Sequence, residues 1–159
     1  MLDERAARVF TYGTLQVREV MLAICGEEPA DVSASLPGHA RFRVRHAVYP
    51  GVLPTSGDDR VEGRLYTGVS ALAVELLDRF EGDLYDRVSL PVALSGGSFV
   101  SAEVYVVRDA LRHRLTDEPW DLARFAREHA PRYIEQCRGL HAEWRADASR
   151  ALAARSLRA

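Results

Sequence analysis

Val9-Phe10-Thr11-Tyr12-Gly13-Thr14-Leu15, near the start, and Leu77-Asp78-Arg79-Phe80-Glu81-Gly82-Asp83-Leu84-Tyr85-Asp86-Arg87, in mid-chain, organise this sequence. The first reads as a strand over residues 9–14 that breaks at a tight glycine turn. The second is the end of a helix. Ser70 is its N-cap, Leu72, Leu76, Leu77 and Phe80 fall on one side, and Gly82 is a suitable C′ residue. Glu81 therefore stands at a helix end beside a glycine.

Outward from these stretches the pattern is mostly of strands. Leu15 to Gly26 forms a short helix with Val20, Ala23 and Ile24 on one face. Ser33 to Gly38 reads as a turn or loop. Arg41-Phe42-Arg43-Val44-Arg45 alternates with period two, a strand with its arginines outward. Tyr49-Pro50-Gly51-Val52-Leu53-Pro54 is too rich in proline for a central strand and reads as a fixed loop or an edge segment. Gly57-Asp58-Asp59 is a hairpin turn before a strand with Val61, Gly63 and Leu65 inward. Tyr85–Leu94 and Ser98–Arg108 are strands around the hairpin signal Ser95-Gly96-Gly97. Trp120 to Cys137 is an amphipathic helix with Leu122, Phe125, Ala126, Tyr133 and Ile134 inward, kinked at Pro131 and ended by Gly139. The Ala/Arg-rich segment 146–159 is helical with little to bury, held loosely or packed on a partner chain. Hairpins outnumber βαβ units, so the expected class is α+β with a mostly antiparallel, barrel-like sheet. One domain over 1–139 and a helical tail over 140–159 are expected.

Bulk properties exclude several function classes. The chain has 159 residues, 47% hydrophobic and 28% charged, and a net charge of −2, which gives no general attraction to nucleic acid or acidic membranes. All 21 basic residues are Arg, with no Lys and no Asn, a composition expected from a GC-rich, bacterial genome. No apolar run is long enough to span a bilayer. Met1–Arg5 lacks the apolar core of a secretory signal, and the expected location is cytoplasmic. Cys25 and Cys137 read as buried thiols of a reducing compartment rather than a disulfide or a nucleophile.

The two stretches together resemble the γ-glutamylcyclotransferase-like (AIG2-like) family, and the resemblance covers roughly residues 8 to 138. It implies a small mixed, mostly antiparallel β-barrel with helices packed outside and a pocket at one mouth. It implies that the Tyr12-Gly13-Thr14-Leu15 loop holds substrate and that Glu81 moves the proton. Tyr49-Pro50-Gly51 resembles a segment of the AIG2-like branch that lines the pocket wall, though it reads equally as a turn. Tyr85 and Arg87 follow Glu81 at the family's spacing, Arg87 being either a ligand contact or a structural ion-pair partner. Tyr105 matches a substrate-contacting tyrosine, with a core-facing strand tyrosine as the alternative. The glutathione-specific branch is a poorer match.

The chemistry that this resemblance implies is undemanding. The substrate's own α-amine attacks its own γ-carbonyl, giving 5-oxoproline and releasing an amine or amino acid. No Ser, Cys, metal or cofactor is required. A base and an acid are needed, and one partly buried carboxyl serves as both; donors must hold the carboxylate and the developing oxyanion. By position alone Glu81 would be a solvated helix-end carboxylate; the surrounding motif makes it the shuttle. Gly13 lets successive N–H groups form an anion-binding concavity, reinforced by the following helix, or else merely permits a turn. Gly13→Val is expected to harm binding and folding because a β-branched residue resists positive φ.

Other signals are set aside. The five His residues are scattered without metal-ligand spacing, and no P-loop or GxGxxG occurs. The Arg41/Arg43/Arg45 stripe reads as a solvated strand face. The expected partner is a small γ-glutamyl molecule, with no nucleic acid and no membrane, acting on a monomer or homodimer. The alternatives are a non-catalytic binding or regulatory module on the same fold and a biosynthetic enzyme removing a γ-glutamyl group from an acylated intermediate.

Overall fold

The computed structural model describes residues 6–158. Met1–Arg5, read above as lacking a secretory signal, and Ala159 lie outside them. The elements in chain order are β1 (Ala7–Thr11), α1 (Arg18–Cys25), β2 (Asp31–Pro37), β3 (His39–Arg43), β4 (Pro50–Pro54), β5 (Arg60–Val69), α2 (Ala71–Glu81), β6 (Tyr85–Leu94), β7 (Phe99–Val107), α3 (Leu122–Glu128) and α4 (Ala130–Arg158). Five strands close a barrel in the order β1-β5-β2-β6-β7. Every neighbouring pair is antiparallel except β1 and β7, which close it in parallel with Val9 opposite Glu103. This is the expected α+β class, a mixed and mostly antiparallel barrel with helices outside. Among the described residues no helix is long and apolar enough to cross a membrane.

Period-two alternation places the barrel core. Val61, Gly63 and Leu65 of β5 point inward, where Phe10, Ala34, Leu36, Val92, Ala102 and Val104 complete a cluster drawn from all five strands. Gly63 is obligatory there. A Cβ on it would lie 2.1 Å from Thr11 O and 2.7 Å from Phe10 Cζ. A second core lies between the sheet and the helices, with Val20, Ile24, Ala73, Leu77, Phe125 and Cys137 buried. Ser70 caps α2 as read, its Oγ accepting from Ala73 N at 3.1 Å. Gly82 stops that helix with φ 68°, a value open to glycine and strained for other residues.

Three local expectations are corrected, and one open alternative is decided. Ser33–Gly38 is mostly strand: Ser33–Pro37 pairs with Arg64–Arg60, and Ala34 and Leu36 are buried. Turn-like Ser and Pro composition yields there to pairing on both edges. Of the two readings for residues 49–54 the edge is realised. Pro50–Pro54 forms β4 against β3 in a separate two-stranded sheet, which tolerates prolines at its ends. The helix predicted over 120–137 is two helices parted at His129 (φ −124°), with Ala126 exposed; Pro131 sits in the first turn of α4, where it removes no helix bond. Finally, Gly139 does not end the helix. α4 runs on to Arg158 and so crosses the 139/140 boundary drawn from the sequence. Its later turns lie on α2: Ala148 is buried, Arg79 donates to Asp147 at 2.7 Å, and Arg155 pairs with Glu75.

Candidate active site

The mouth of the barrel, where β1 ends and α2 runs into β6, opens into a cavity of about 200 Å³. Eight residues singled out from the sequence line it: Tyr12, Gly13, Thr14, Leu15, Tyr49, Glu81, Tyr85 and Tyr105. Arg87 does not. It reaches across to Asp78 at 2.8 Å and pairs with Glu103, so the ion-pair reading holds. Sequence reasoning missed Phe80, Leu84, Tyr133 and Leu140 as lining residues. Tyr133 and Leu140 share a face of α4, seven residues apart, but only the fold brings that face to the barrel mouth.

The loop after β1 is built to present donors. Its four carbonyls are all occupied: Tyr12 O accepts from Arg41 at 2.8 Å, Gly13 O from Gln16 N at 3.1 Å, Thr14 O from Val17 N at 3.1 Å and Leu15 O from the Tyr66 hydroxyl at 2.8 Å. Among the described residues the N–H groups of Thr14 and Leu15, at the head of the short 3₁₀ turn Thr14–Gln16, have no acceptor within the chain. A loop with its oxygens tied back and its N–H groups free suits an anion. Gly13 has φ −126°, not the positive φ expected. Glycine is needed instead because the Pro50 ring lies over it: a Cβ would meet Pro50 Cδ at 2.8 Å and Cγ at 2.9 Å. The Tyr85 hydroxyl donates to Pro50 O at 2.7 Å and so holds that ring in place.

Glu81 is half-buried; among the described residues it is the only carboxyl lining the cavity, and its side chain makes no hydrogen bond. Burial, and secondarily the charge of Asp78 one helical turn back, push its carboxyl up to about 8. The tyrosines are fixed around it. Tyr105 donates to Asp78 Oδ1 at 2.7 Å and Tyr12 to Tyr105 O at 2.5 Å. Burial raises the phenols of Tyr12, Tyr85, Tyr105 and Tyr133 above their ordinary value, so all four stay neutral. Asp78 was legible as a neighbour of Glu81 from the i, i+3 spacing on α2. Among the described residues no cluster of His, Cys, Asp or Glu could hold a metal ion.

The sequence profile of the family described as Gamma-glutamyl cyclotransferase, AIG2-like, matches residues 9–122. The chain belongs to that family. AIG2-like protein C of Arabidopsis thaliana is 37% identical over 131 residues, covering 81% of this chain and 74% of its own. Among solved structures, a solution structure of an Arabidopsis thaliana protein superposes with a TM-score of 0.65 at 29% identity, over 83% of this chain and 88% of that one. A solved γ-glutamyl cyclotransferase superposes with a TM-score of 0.58 over 65% of this chain and 67% of its own; at 16% identity it shares the fold alone. The curated relatives are plant AIG2-like proteins and lend no support to the bacterial origin read from the arginine-only composition. Relative to the family match, α4 is additional: Tyr133 and Leu140 wall the cavity from beyond residue 122.

Proposed function

We propose that this AIG2-like protein is an enzyme that cyclises a γ-glutamyl compound to 5-oxoproline and releases the amine, with Glu81 as both base and acid. The observation that carries the reading is Glu81 itself: among the described residues the one carboxyl in the cavity, with no partner from them, pushed up to about 8 by burial. A free α-amine titrates at ~8, so a proton passes between the two groups with little free-energy difference.

The steps follow. The substrate's α-carboxylate or its γ-carbonyl oxygen lies against the Thr14 and Leu15 N–H groups. Glu81 takes a proton from the α-ammonium, and the amine nitrogen attacks the γ-carbon. A C–N bond forms and the carbonyl π pair moves to oxygen, giving a tetrahedral oxyanion. The oxyanion collapses: Glu81 gives its proton to the leaving nitrogen as that bond breaks, then takes the second proton from the positively charged ring nitrogen and passes it to the released amine, leaving a neutral lactam, an ammonium and an ionised Glu81. Atoms and charge balance without an external nucleophile.

Among the described residues no Arg or His lines the cavity, so a leaving group carrying its own carboxylate meets no cation from them there. γ-Glutamyl amines are therefore expected to be turned over faster than γ-glutamyl amino acids or glutathione. The test is 5-oxoproline release, read by mass spectrometry, from a panel of all three with wild type and Glu81→Gln. Release by wild type and a fall of about 10³-fold or more in the variant support the reading. Near-wild-type turnover by the variant would remove Glu81 from the mechanism. Ligand binding with no release from any member would point to the non-catalytic binding module.

A further inference from the structure

Arg41 belongs to the stripe set aside above as a solvated face, yet it is turned inward. On β3, behind the cavity and not lining it, its Nη1 donates to Tyr12 O at 2.8 Å and to Glu62 O at 3.3 Å. Its guanidinium lies 5.6 Å from the Trp120 ring centroid, and the Trp120 indole N–H donates to Val48 O at 2.7 Å, just before the Tyr49-Pro50 wall.

The other three carbonyls of the Tyr12–Leu15 loop are tied down by the turn itself or by the Tyr66 hydroxyl. Only the Tyr12 carbonyl depends on a cation. In a planar trans peptide the C=O and the following N–H point in opposite directions. A guanidinium gripping Tyr12 O from behind therefore turns the Gly13 N–H away from itself. Release of that carbonyl would leave a polar group of a buried residue unpaired, and Gly13, lacking a Cβ, offers little resistance to rotation of the peptide. A rotated peptide would aim an oxygen where an anion is to sit.

We propose that Arg41 is a positioning residue: by holding the Tyr12 carbonyl it keeps the Tyr12–Gly13 peptide in the orientation that lets the loop bind an anion. The inference rests on the anion-binding role given to the loop above.

The test uses backbone-assigned NMR of wild type, Arg41→Met and Arg41→Lys, each free and titrated with 5-oxoproline as the carboxylate probe. Met preserves apolar cover on Trp120 without donating; Lys restores a charged donor. The expected result is a shift of the Gly13 and Thr14 amides in free Arg41→Met, a loss of affinity of about 10- to 100-fold, and partial recovery of both in Arg41→Lys. A merely structural role would spread its shifts over the β3–β4 sheet and leave Lys no better than Met. Unchanged loop amides and unchanged affinity in Arg41→Met would overturn the proposal. If wild type neither binds 5-oxoproline nor releases it from any substrate, the functional reading fails. The free-state amide shifts still decide the proposal then: moved, it stands; unmoved, it falls. If Arg41→Met does not fold, the comparison is made on Arg41→Lys and Arg41→Gln by the same criteria.

Discussion

At the scale of the residue, Glu81 links chemistry to stability. Its folded pKa is raised from 4.5 to about 8, so between those values the folded state holds a proton that the unfolded chain has released. Stability from this group is fully present below about 4.5 and is lost as pH rises through 8. Glu81→Gln removes the dependence. The variant should match wild type in melting temperature near pH 4.5 and exceed it by several degrees at pH 9, as read by calorimetry at both values. If Glu81 acts as proposed, the productive complex carries a single proton shared between Glu81 and the substrate amine. kcat/KM should then peak near pH 8 and fall on either side; a plateau down to pH 5 would count against a carboxyl with this pKa. Gly13 was legible as an essential glycine for the wrong reason. Backbone conformation does not demand it, and the Pro50 ring does, a neighbour 37 positions away that periodicity cannot reveal. Even Gly13→Ala should therefore weaken 5-oxoproline binding, measured by titration calorimetry.

At the scale of the element, local signals worked where local physics decides. Ser70 capping α2, Gly82 ending it and the Ser95–Gly97 hairpin were all read from neighbouring residues. They failed where a distant partner decides. Ser33–Pro37 looks like a turn until β5 and β6 pair with it, and Arg41 looks solvated until Trp120 and the Tyr12 carbonyl are brought beneath it. The end of α4 was misplaced because its inward face fades to Ala148, too small to leave an amphipathic trace. That helix still matters, since Leu140 walls the cavity and Trp144 packs on the helical core. Truncation after Gly139 should lower the melting temperature by several degrees and reduce turnover, whereas a solvated tail would change neither.

At the scale of the whole molecule, the helices pack on the barrel over a core of their own, distinct from the one inside the barrel. Cys25 on α1 and Cys137 on α4 are both buried in the helices' core as free thiols, and burial pushes each up to about 12. They should resist a thiol-reactive dye in the native protein and label together across the denaturation midpoint, at the same denaturant concentration as loss of circular dichroism. Labelling of Cys137 alone at lower denaturant would mean that α4 separates first.

The barrel is sealed by its first and last strands, Val9 beside Glu103. During synthesis β1 leaves the ribosome with neither of its neighbours yet made, and it must wait for both β5 and β7. The loop that follows β1 and the glutamate that ends α2 face each other only after that wait. A nascent or truncated chain that stops before residue 99 therefore carries both halves of the site without a site, and appearance of turnover in a timed translation reaction would mark the moment at which the ring shuts.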